Sequence, residues 1–423
     1  MLFEEWGIAG LNPLTGQVRF FQNVSGYSEI PIRLSFADLL ALLTFGAWLL
    51  RRLVGANAPA RLGPLGWPVL AYTGLFGVGF ALGLVRGGSW NQSAALAELR
   101  GPLFLCITYL LTVNLVRDEA HVKWIVRLVV ALAAVKAAQG LGNYVDMVNG
   151  PVWLEAVTAH EDVVFLDLVV IIAVAAFILG VRDRFAVFVY GLIPVIALAE
   201  LVTQRRVAFI ALGGALLVTA IVLAHLRPRQ TLTLFGVAAA IFVVYTALFW
   251  DQTGLLAGPV RAIKGAIDSS SLSARDLASN WWRELENANI AYTIRQLPLT
   301  GVGLGQEYLF VREPPQLTNF VYWRYMTHDA VLWVWLKTGI LGFFAFWTLV
   351  VQTAVVAGRL VRQLPSVDLK LFAIVPLALI VIQVVFSTVD LGLTYSRCMI
   401  VLGVVLGLTS YLSRLAQARG LPT

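Results

Sequence analysis

The sequence predicts an all-α polytopic membrane protein with about eleven transmembrane helices. Of its 423 residues, 59% are hydrophobic and only 13% are charged, and the mean hydropathy is +0.80. The apolar residues form runs of about twenty residues, the length that a bilayer-spanning helix needs. One long polar stretch, residues 251–327, interrupts these runs. A soluble globular domain does not have this balance of apolar and charged residues, so most of the chain is predicted to lie in a membrane.

The first 33 residues contain no apolar run long enough to span a bilayer. Glu4, Glu5 and Arg19 also break the pattern of a cleavable signal peptide, so none is predicted. Trp6 is suited to the headgroup layer of a membrane. Residues 1–33 are therefore predicted to form an interfacial N-terminal arm.

Eight spans are predicted in residues 34–250 and three more in residues 328–412. They lie near Leu34–Leu53, Trp67–Val85, Leu99–Val116, Val122–Leu141, Val163–Val181, Phe185–Val202, Val207–His225, Leu232–Trp250, Ala330–Ala357, Leu371–Val389 and Ser396–Leu412. Residues 251–327 form a large loop between the eighth and ninth spans, and residues 413–423 form a tail.

The short loops predict the orientation, because loops rich in arginine and lysine face the cytoplasm. Alternate loops carry this excess, as in Arg51 and Arg52, Arg182 and Arg184, Arg227 and Arg229, and finally Arg414 and Arg419. The N-terminus is then outside, the C-terminus is cytoplasmic, and the large loop is extracytoplasmic. The net charge of +7 lies mostly in these loops, so it indicates topology rather than binding of nucleic acid.

Two cysteines are too few for a disulfide framework or a thiolate metal site. Both Cys106 and Cys398 lie inside apolar runs. They are predicted to be small core residues.

The large loop contains a predicted helix that starts near Ser273 and ends near Gln296. An apolar stripe on this helix is predicted to lie on the membrane body or in the interface, and it consists of Trp281, Leu285, Ala288 and Tyr292. A turn with glycines at 301, 303 and 305 follows. No strand precedes these glycines, so they do not form a dinucleotide-binding fingerprint.

Arginines on the external side indicate an anion site. Arg205 and Arg206 lie in a very short external turn, Arg275 begins the loop helix, and Arg397 begins the last span. Guanidinium groups bind phosphate oxygens in a bidentate manner, so this side is predicted to bind a lipid-linked diphosphate without a metal ion. His328, at the external start of the ninth span, either accepts a proton from a hydroxyl group or only caps the helix.

The order of these features resembles the O-antigen ligase/polymerase family of bacterial polysaccharide enzymes. The first motif is Arg206–Phe209, which opens a span. The second is Arg275 with Trp281 and Trp282, followed by Leu-Pro-Leu-Thr-Gly-Val-Gly at 297–303. The third is His-Asp-Ala-Val-Leu at 328–332, followed by Gly339 and Gly342.

The resemblance implies a metal-independent, inverting glycosyltransferase without a cofactor in the bacterial inner membrane. Its donor would be a glycan linked to undecaprenyl diphosphate. The acceptor would be a saccharide, either lipid A-core in a ligase or a second lipid-linked repeat unit in a polymerase. Its other partners would be membrane lipids.

The resemblance also assigns residues. Arg206 and Arg275, with Arg205 and Arg397 beside them, would hold the donor diphosphate, and His328 would activate the acceptor. Trp282, Gly301 and Gly303 would support the site. The family usually has asparagine after the histidine, whereas this chain has Asp329. That carboxylate would either orient His328 or mark a member with another acceptor.

A polysaccharide or lipid-linked-oligosaccharide transporter, or flippase, is the alternative function. Such proteins show inverted repeats with broken helices in matching halves. Pro194 and Pro376 interrupt two predicted spans but do not occupy corresponding positions.

Overall fold

The computed structural model describes residues 36–55, 60–150, 157–268, 272, 274–316 and 321–419. Within these ranges the chain forms thirteen α-helices and no β-strand. The helices are α1 (Phe36–Val54), α2 (Gly66–Arg86), α3 (Gln92–Leu115), α4 (Glu119–Asn149), α5 (Asp162–Leu179), α6 (Arg184–Thr203), α7 (Arg206–Ala224), α8 (Pro228–Phe249), α9 (Gly258–Ile267), α10 (Ala274–Gln296), α11 (Ala330–Gln363), α12 (Val367–Ser387) and α13 (Ser396–Gln417). The predicted interfacial arm, residues 1–33, lies outside the described residues, as does Ser273.

Ten of the described helices, α2–α8 and α11–α13, are long and apolar enough to cross a membrane. Every predicted span coincides with a helix, and the one that is not among these ten is α1, which carries Asp38, Arg51 and Arg52. The Asp38 carboxylate pairs with Arg100 of α3 at 2.8 Å. The prediction of an all-α polytopic membrane protein is confirmed.

Three helices form the centre of the bundle. Most residues of α5, α12 and α13 are buried inside the protein, and most of these buried residues are apolar. In contrast, α8 packs mainly on α7, and its apolar window has no buried residue. In a membrane this outer helix presents its side chains to lipid.

Residues 297–306 leave the end of α10 and enter the bundle between α2 and α11; we call this segment the inserted loop. The amides of Val302 and Gly303 donate to the carbonyls of Leu336 and Lys337 at 2.7 and 3.2 Å. The amide of Leu304 donates to the carbonyl of Gly79 in α2 at 2.9 Å. Non-helical backbone at membrane depth is tolerated where protein groups satisfy it in this way.

The inserted loop breaks α11. Gly339 has φ 69° and ψ −171°, and the amide of the next residue, Ile340, donates to the carbonyl of Pro298 at 3.0 Å. The two backbones approach so closely that a Cβ on Gly301 would lie 2.5 Å from the carbonyl oxygen of Leu336. A side chain at this position would push the inserted loop out of its place.

A buried ion pair lies beside the inserted loop. The Nζ atom of Lys337 lies 3.0 Å from Oε1 of Glu98, and both side chains are fully buried. The Glu98 carboxylate also accepts hydrogen bonds from the amide of Gly305 at 2.6 Å and from Nε1 of Trp333 at 3.2 Å. Removing one partner of a buried pair costs about 3–5 kcal/mol, so this pair fixes the inserted loop to α3 and α11.

The face of α10 that packs on the protein is partly polar. It includes Trp282, Glu286, Asn289 and Thr293, all of them buried, together with the buried Ile290. The side chain of Asn289 binds the backbone of Val311 and Arg312 at 2.8–3.2 Å. The irregular backbone of residues 309–312 needs such hydrogen-bond partners, which apolar side chains do not offer.

The apolar stripe of α10 therefore lies away from the protein body. Trp281 and Tyr292 are exposed. Leu285 of the same stripe is half-buried. The predicted position of the stripe relative to the membrane stays a prediction.

The bundle has two ends. At the end that contains His328, α5, α7, α11 and α13 begin and α2, α4, α6 and α12 finish. We call it the site end, and the opposite end the far end. The large loop lies at the site end, so the predicted orientation makes the site end extracytoplasmic.

Labelling of single cysteines tests this orientation. In a chain that lacks Cys106 and Cys398, cysteine at Gln316 should react with an impermeant maleimide on intact spheroplasts, whereas cysteine at Arg229 should not. Both positions are exposed, at the site end and the far end respectively. Permeabilised cells serve as the control in which both positions react. If only Arg229→Cys were labelled on intact cells, the orientation would be the opposite of the predicted one.

Candidate active site

The ring of His328 lies against a buried carboxylate of α10. Its Nδ1 atom is 3.2 Å from Oε2 and 3.4 Å from Oε1 of Glu286, and its backbone amide donates to Oε2 at 2.9 Å. The side chain of Glu286 is only 1% exposed, whereas that of His328 is 22% exposed. One edge of the imidazole is thus held from inside, and the other edge remains accessible.

Trp282 lies one helical turn before Glu286 and packs its ring edge-on to His328, with 5.2 Å between ring centroids. Its Nε1 atom donates to the carbonyl of Pro315 at 3.2 Å. The structure therefore places the predicted supporting residue Trp282 in direct contact with the histidine.

Asp329 does not lie against the His328 ring in the manner expected of an orienting residue. Its carboxylate caps α11 by accepting a hydrogen bond from the amide of Leu332 at 2.9 Å. The carboxylate that contacts the ring is that of Glu286, and the orienting role of Asp329 stays a prediction.

Burial raises the pKa of Asp329 to about 6, while the amides of Leu332 and Val331 oppose this rise and the negative charge of Glu286 adds to it. The side chain of aspartate in an unfolded chain has a pKa of about 4. Because the folded pKa is the higher one, the stabilisation from protonated Asp329 is complete below the unfolded pKa and is lost as the pH rises through the folded pKa.

Asp329→Asn should therefore change the pH dependence of stability. Asparagine caps a helix as well as aspartate does but does not titrate. From about pH 4 to about pH 7, the unfolding temperature of wild type should fall relative to that of the variant. Thermal unfolding of both proteins in detergent measures this difference. A difference that stays constant across this range would contradict the assignment.

Arg206 lies at the first position of α7 and reaches the first turns of α10. Its Nη2 atom is 3.3 Å from Oδ1 of Asp276 and donates to Oδ1 of Asn280 at 3.1 Å. Arg275 occupies the position before Asp276 in the first turn of α10, and its side chain lies outside the described residues. Arg205 is the N-cap residue of α7 and is half-buried. The structure thus brings Arg206 to the turn of α10 that carries Arg275.

Arg397 does not join these arginines as a free cation. Its guanidinium is buried and contacts the carboxylates of Glu161 and Asp162, the latter at 3.0 Å. Lys136 of α4 also lies 3.3 Å from Asp162. Nearby carboxylates thus neutralise the charge of Arg397, and its predicted role in binding a diphosphate stays a prediction.

A second histidine and carboxylate lie at the site end. The Nδ1 atom of His160 is 2.9 Å from Oδ2 of Asp390, and the hydroxyl of Tyr395 donates to Oδ1 of Asp390 at 2.9 Å. Burial works against ionisation of Asp390, but the hydrogen bond and charge of His160 hold its pKa well below the usual range. The charge of His328 acts in the same direction, so the two histidines belong to one electrostatic environment.

Sequence reasoning missed Glu286, His160 and Asp390. For Glu286 a signal existed, since it follows Trp282 by four residues and so shares its helix face. For His160 and Asp390 no local pattern connects residues that are 230 positions apart.

The glycines of the inserted loop hold this site in place indirectly. Arg86 donates to the carbonyl of Gly301 at 2.6 Å and to the hydroxyl of Thr300 at 2.9 Å. Gly303 has φ 90° and lies against the backbone of Gly83. Gly301 and Gly303 position the start of α11, which begins two residues after His328. They do not contact the histidine themselves.

A search of curated proteins finds no match. Residues 191–347 match a family model described as O-Antigen ligase. The matched segment runs from α6 to α11 and contains Arg206, Arg275, Glu286 and His328. This match confirms the resemblance inferred from the motifs: from residue 191 to residue 347, the chain is similar to the O-antigen ligase family.

Proposed function

We propose that this protein transfers a glycan from an undecaprenyl-diphosphate-linked donor to a saccharide acceptor at the site end of the bundle. The family match supports a membrane glycosyltransferase of the ligase or polymerase type. The bacterial inner membrane, with the site end outside, is the proposed location, because the lipid-linked donor is presented there.

The observation that carries the proposal is that α10 links an arginine to a histidine with a carboxylate partner. Asp276 and Asn280 contact Arg206 near the start of α10, and Glu286 contacts His328 further along. Asp276 and Glu286 are ten positions apart in one helix, a distance of about 15 Å along its axis. A diphosphate near Arg206 and an acceptor hydroxyl near His328 can then be held by one rigid element.

His328 is proposed as the general base. An ionised carboxylate accepts hydrogen bonds but donates none, so Nδ1, which faces Glu286, carries the hydrogen of the ring. The lone pair of Nε2 is then available to take the proton of the acceptor hydroxyl. Glu286 stabilises the imidazolium that forms, as a buried carboxylate does for other catalytic histidines.

Bond formation follows from these positions. The acceptor oxygen attacks the anomeric carbon of the donor from the side opposite the diphosphate. The bond from that carbon to the diphosphate oxygen breaks, and the configuration inverts. Arg206 and Arg275 are proposed to stabilise the charge that develops on the leaving diphosphate, in place of a metal ion.

One experiment tests this function. Purified protein in detergent, with EDTA present, receives a lipid-linked oligosaccharide, either alone or together with lipid A-core, and the products are sized on a gel. A ladder from the donor alone indicates a polymerase, and a single transfer to lipid A-core indicates a ligase. His328→Ala protein is the negative control. No product from any of several undecaprenyl-diphosphate-linked donors would contradict the proposal.

Transport of a lipid-linked glycan is the competing function, because discontinuous helices such as α11 occur at substrate sites of transporters. Here, however, the inserted loop bonds to the carbonyls of Leu336 and Lys337 at the break in α11. These groups are therefore occupied rather than available to an ion or substrate, which favours transfer over transport. Movement of a labelled donor across liposomes, without transfer, would favour the transporter.

A further inference from the structure

A cavity of about 550 Å³ opens at the far end of the bundle, away from His328. It lies between the segment before α2 and the last turns of α11 and α13. Three arginines and two serines line it, namely Arg61, Arg359, Arg414, Ser410 and Ser413. We call this cavity the arginine pocket.

The arginine pocket contains positive charge without a described counter-ion. Among the residues that the structure describes, no carboxylate lies within ion-pair distance of Arg61, Arg359 or Arg414. No acidic residue lines the cavity either. Like charges that face one cavity repel each other, so the pocket is suited to an anion.

Hydrogen bonds hold two of these arginines in place. The amide and the carbonyl of Arg61 both bond to the side chain of Asn114 in α3 at 3.0 Å. The guanidinium of Arg414 donates to the carbonyl of Val116 at 3.0 Å. The pocket therefore brings cations of three separate chain segments to one cavity, whereas Arg184 and Arg229 at the same end lie outside it.

The rest of the lining is apolar. Leu62, Pro64, Val356 and Leu360 line the same cavity. The pocket lies where the apolar parts of α11 and α13 end, which is the depth of lipid headgroups. A phosphate with an attached glycerol and acyl chains offers partners both to the arginines and hydroxyls and to the apolar side chains. Free phosphate would leave the apolar side chains without a partner.

We propose that the arginine pocket binds the headgroup of an anionic phospholipid from the leaflet at the far end of the bundle. Basic pockets between transmembrane helices on the cytoplasmic side are suited to such headgroups. The bound lipid bridges the ends of α11 and α13 to the segment before α2, and so joins the first and last parts of the described bundle. This inference does not depend on the proposed glycan transfer.

Thermal unfolding of delipidated protein in a neutral detergent tests the proposal. Phosphatidylglycerol is titrated against wild type and against the double variant Arg61→Gln/Arg359→Gln, which leaves the hydrogen bonds of Arg414 intact. A ligand that binds the native state raises the unfolding temperature with its concentration. We expect the apparent affinity for phosphatidylglycerol to fall about fivefold for each arginine removed.

The double variant Arg184→Gln/Arg229→Gln is the matched control, because it removes the same charge from the same end but outside the pocket. It should bind phosphatidylglycerol as wild type does. Phosphatidylcholine and inorganic phosphate should give little stabilisation. Equal losses in both double variants would mean a diffuse charge effect and overturn the site, and stabilisation by inorganic phosphate alone would overturn the lipid as its ligand.

Discussion

Replacing His328 by alanine should lower the rate of glycan transfer by about a hundred- to ten-thousand-fold, the contribution of a positioned general base. The His328 ring contacts Glu286 and Trp282 and is partly exposed, so its removal should leave the helix bundle intact. The measurement is single-turnover transfer from a pre-bound lipid-linked donor. Expression and donor binding should remain close to those of wild type.

Variants of the two neighbouring carboxylates separate their roles. Glu286→Gln removes the negative charge that faces Nδ1 and should lower the transfer rate substantially, whereas Asp329→Asn keeps the helix cap and should retain most activity. His225→Ala at the far end is the control for loss of a histidine, because the described hydrogen bond of its ring is to the carbonyl of Ile221, one turn earlier. If His328→Ala transfers at the wild-type rate, base catalysis by this residue is excluded. If Asp329→Asn is as damaging as His328→Ala, the proton goes to Asp329 instead.

Replacing Arg206 by lysine should reduce transfer by about a hundred- to a thousand-fold, the usual loss when one preorganised donor to a developing anion is removed. Lysine keeps the positive charge and can still pair with Asp276. It cannot reproduce the planar, bidentate fork that fits a diphosphate. The loss should therefore appear in single-turnover transfer and not in the unfolding temperature.

Arg295→Lys is the matched control, since Arg295 lies on the same helix, α10, and is exposed. It should transfer as wild type does. Equal rates in Arg206→Lys and Arg295→Lys would refute the diphosphate role. Equal transfer with and without EDTA in wild type is expected on the same grounds, because arginines are proposed to take the place of a metal ion.

Run length was enough to predict the transmembrane helices, because a bilayer requires about twenty apolar residues wherever a chain crosses it. The loop helix was also predictable from its periodicity, and its observed bounds are Ala274–Gln296. The orientation of this helix was not predictable. The apolar stripe dominated the sequence pattern, whereas Asn289 and Thr293 bind irregular backbone. Polar side chains therefore join the apolar Ile290 on the inner face of α10, since the irregular backbone beside it needs hydrogen-bond partners.

Local sequence patterns could not predict the ion-pair partners at the site end. Arg397 was expected to be free for a ligand, but Glu161 and Asp162 lie 236 and 235 positions earlier in the chain. Charge spacing along one segment does not reveal which distant segment will neutralise it. In the same way, the glycines at 301 and 303 predicted a turn, but nothing near them indicated that the turn enters the bundle.

The inserted loop has a consequence for how the protein is made. Synthesis proceeds from the N-terminus, so α2 and α3 enter the membrane long before residues 298–340 exist. Until then Glu98 has none of the partners that surround it in the finished structure, which are Gly305, Trp333 and Lys337. Until α11 is made, α2 and α3 therefore lie in the lipid, or beside an insertion factor, while the Glu98 side chain lacks these partners. Assembly of the proposed transfer site thus becomes a late event in biogenesis.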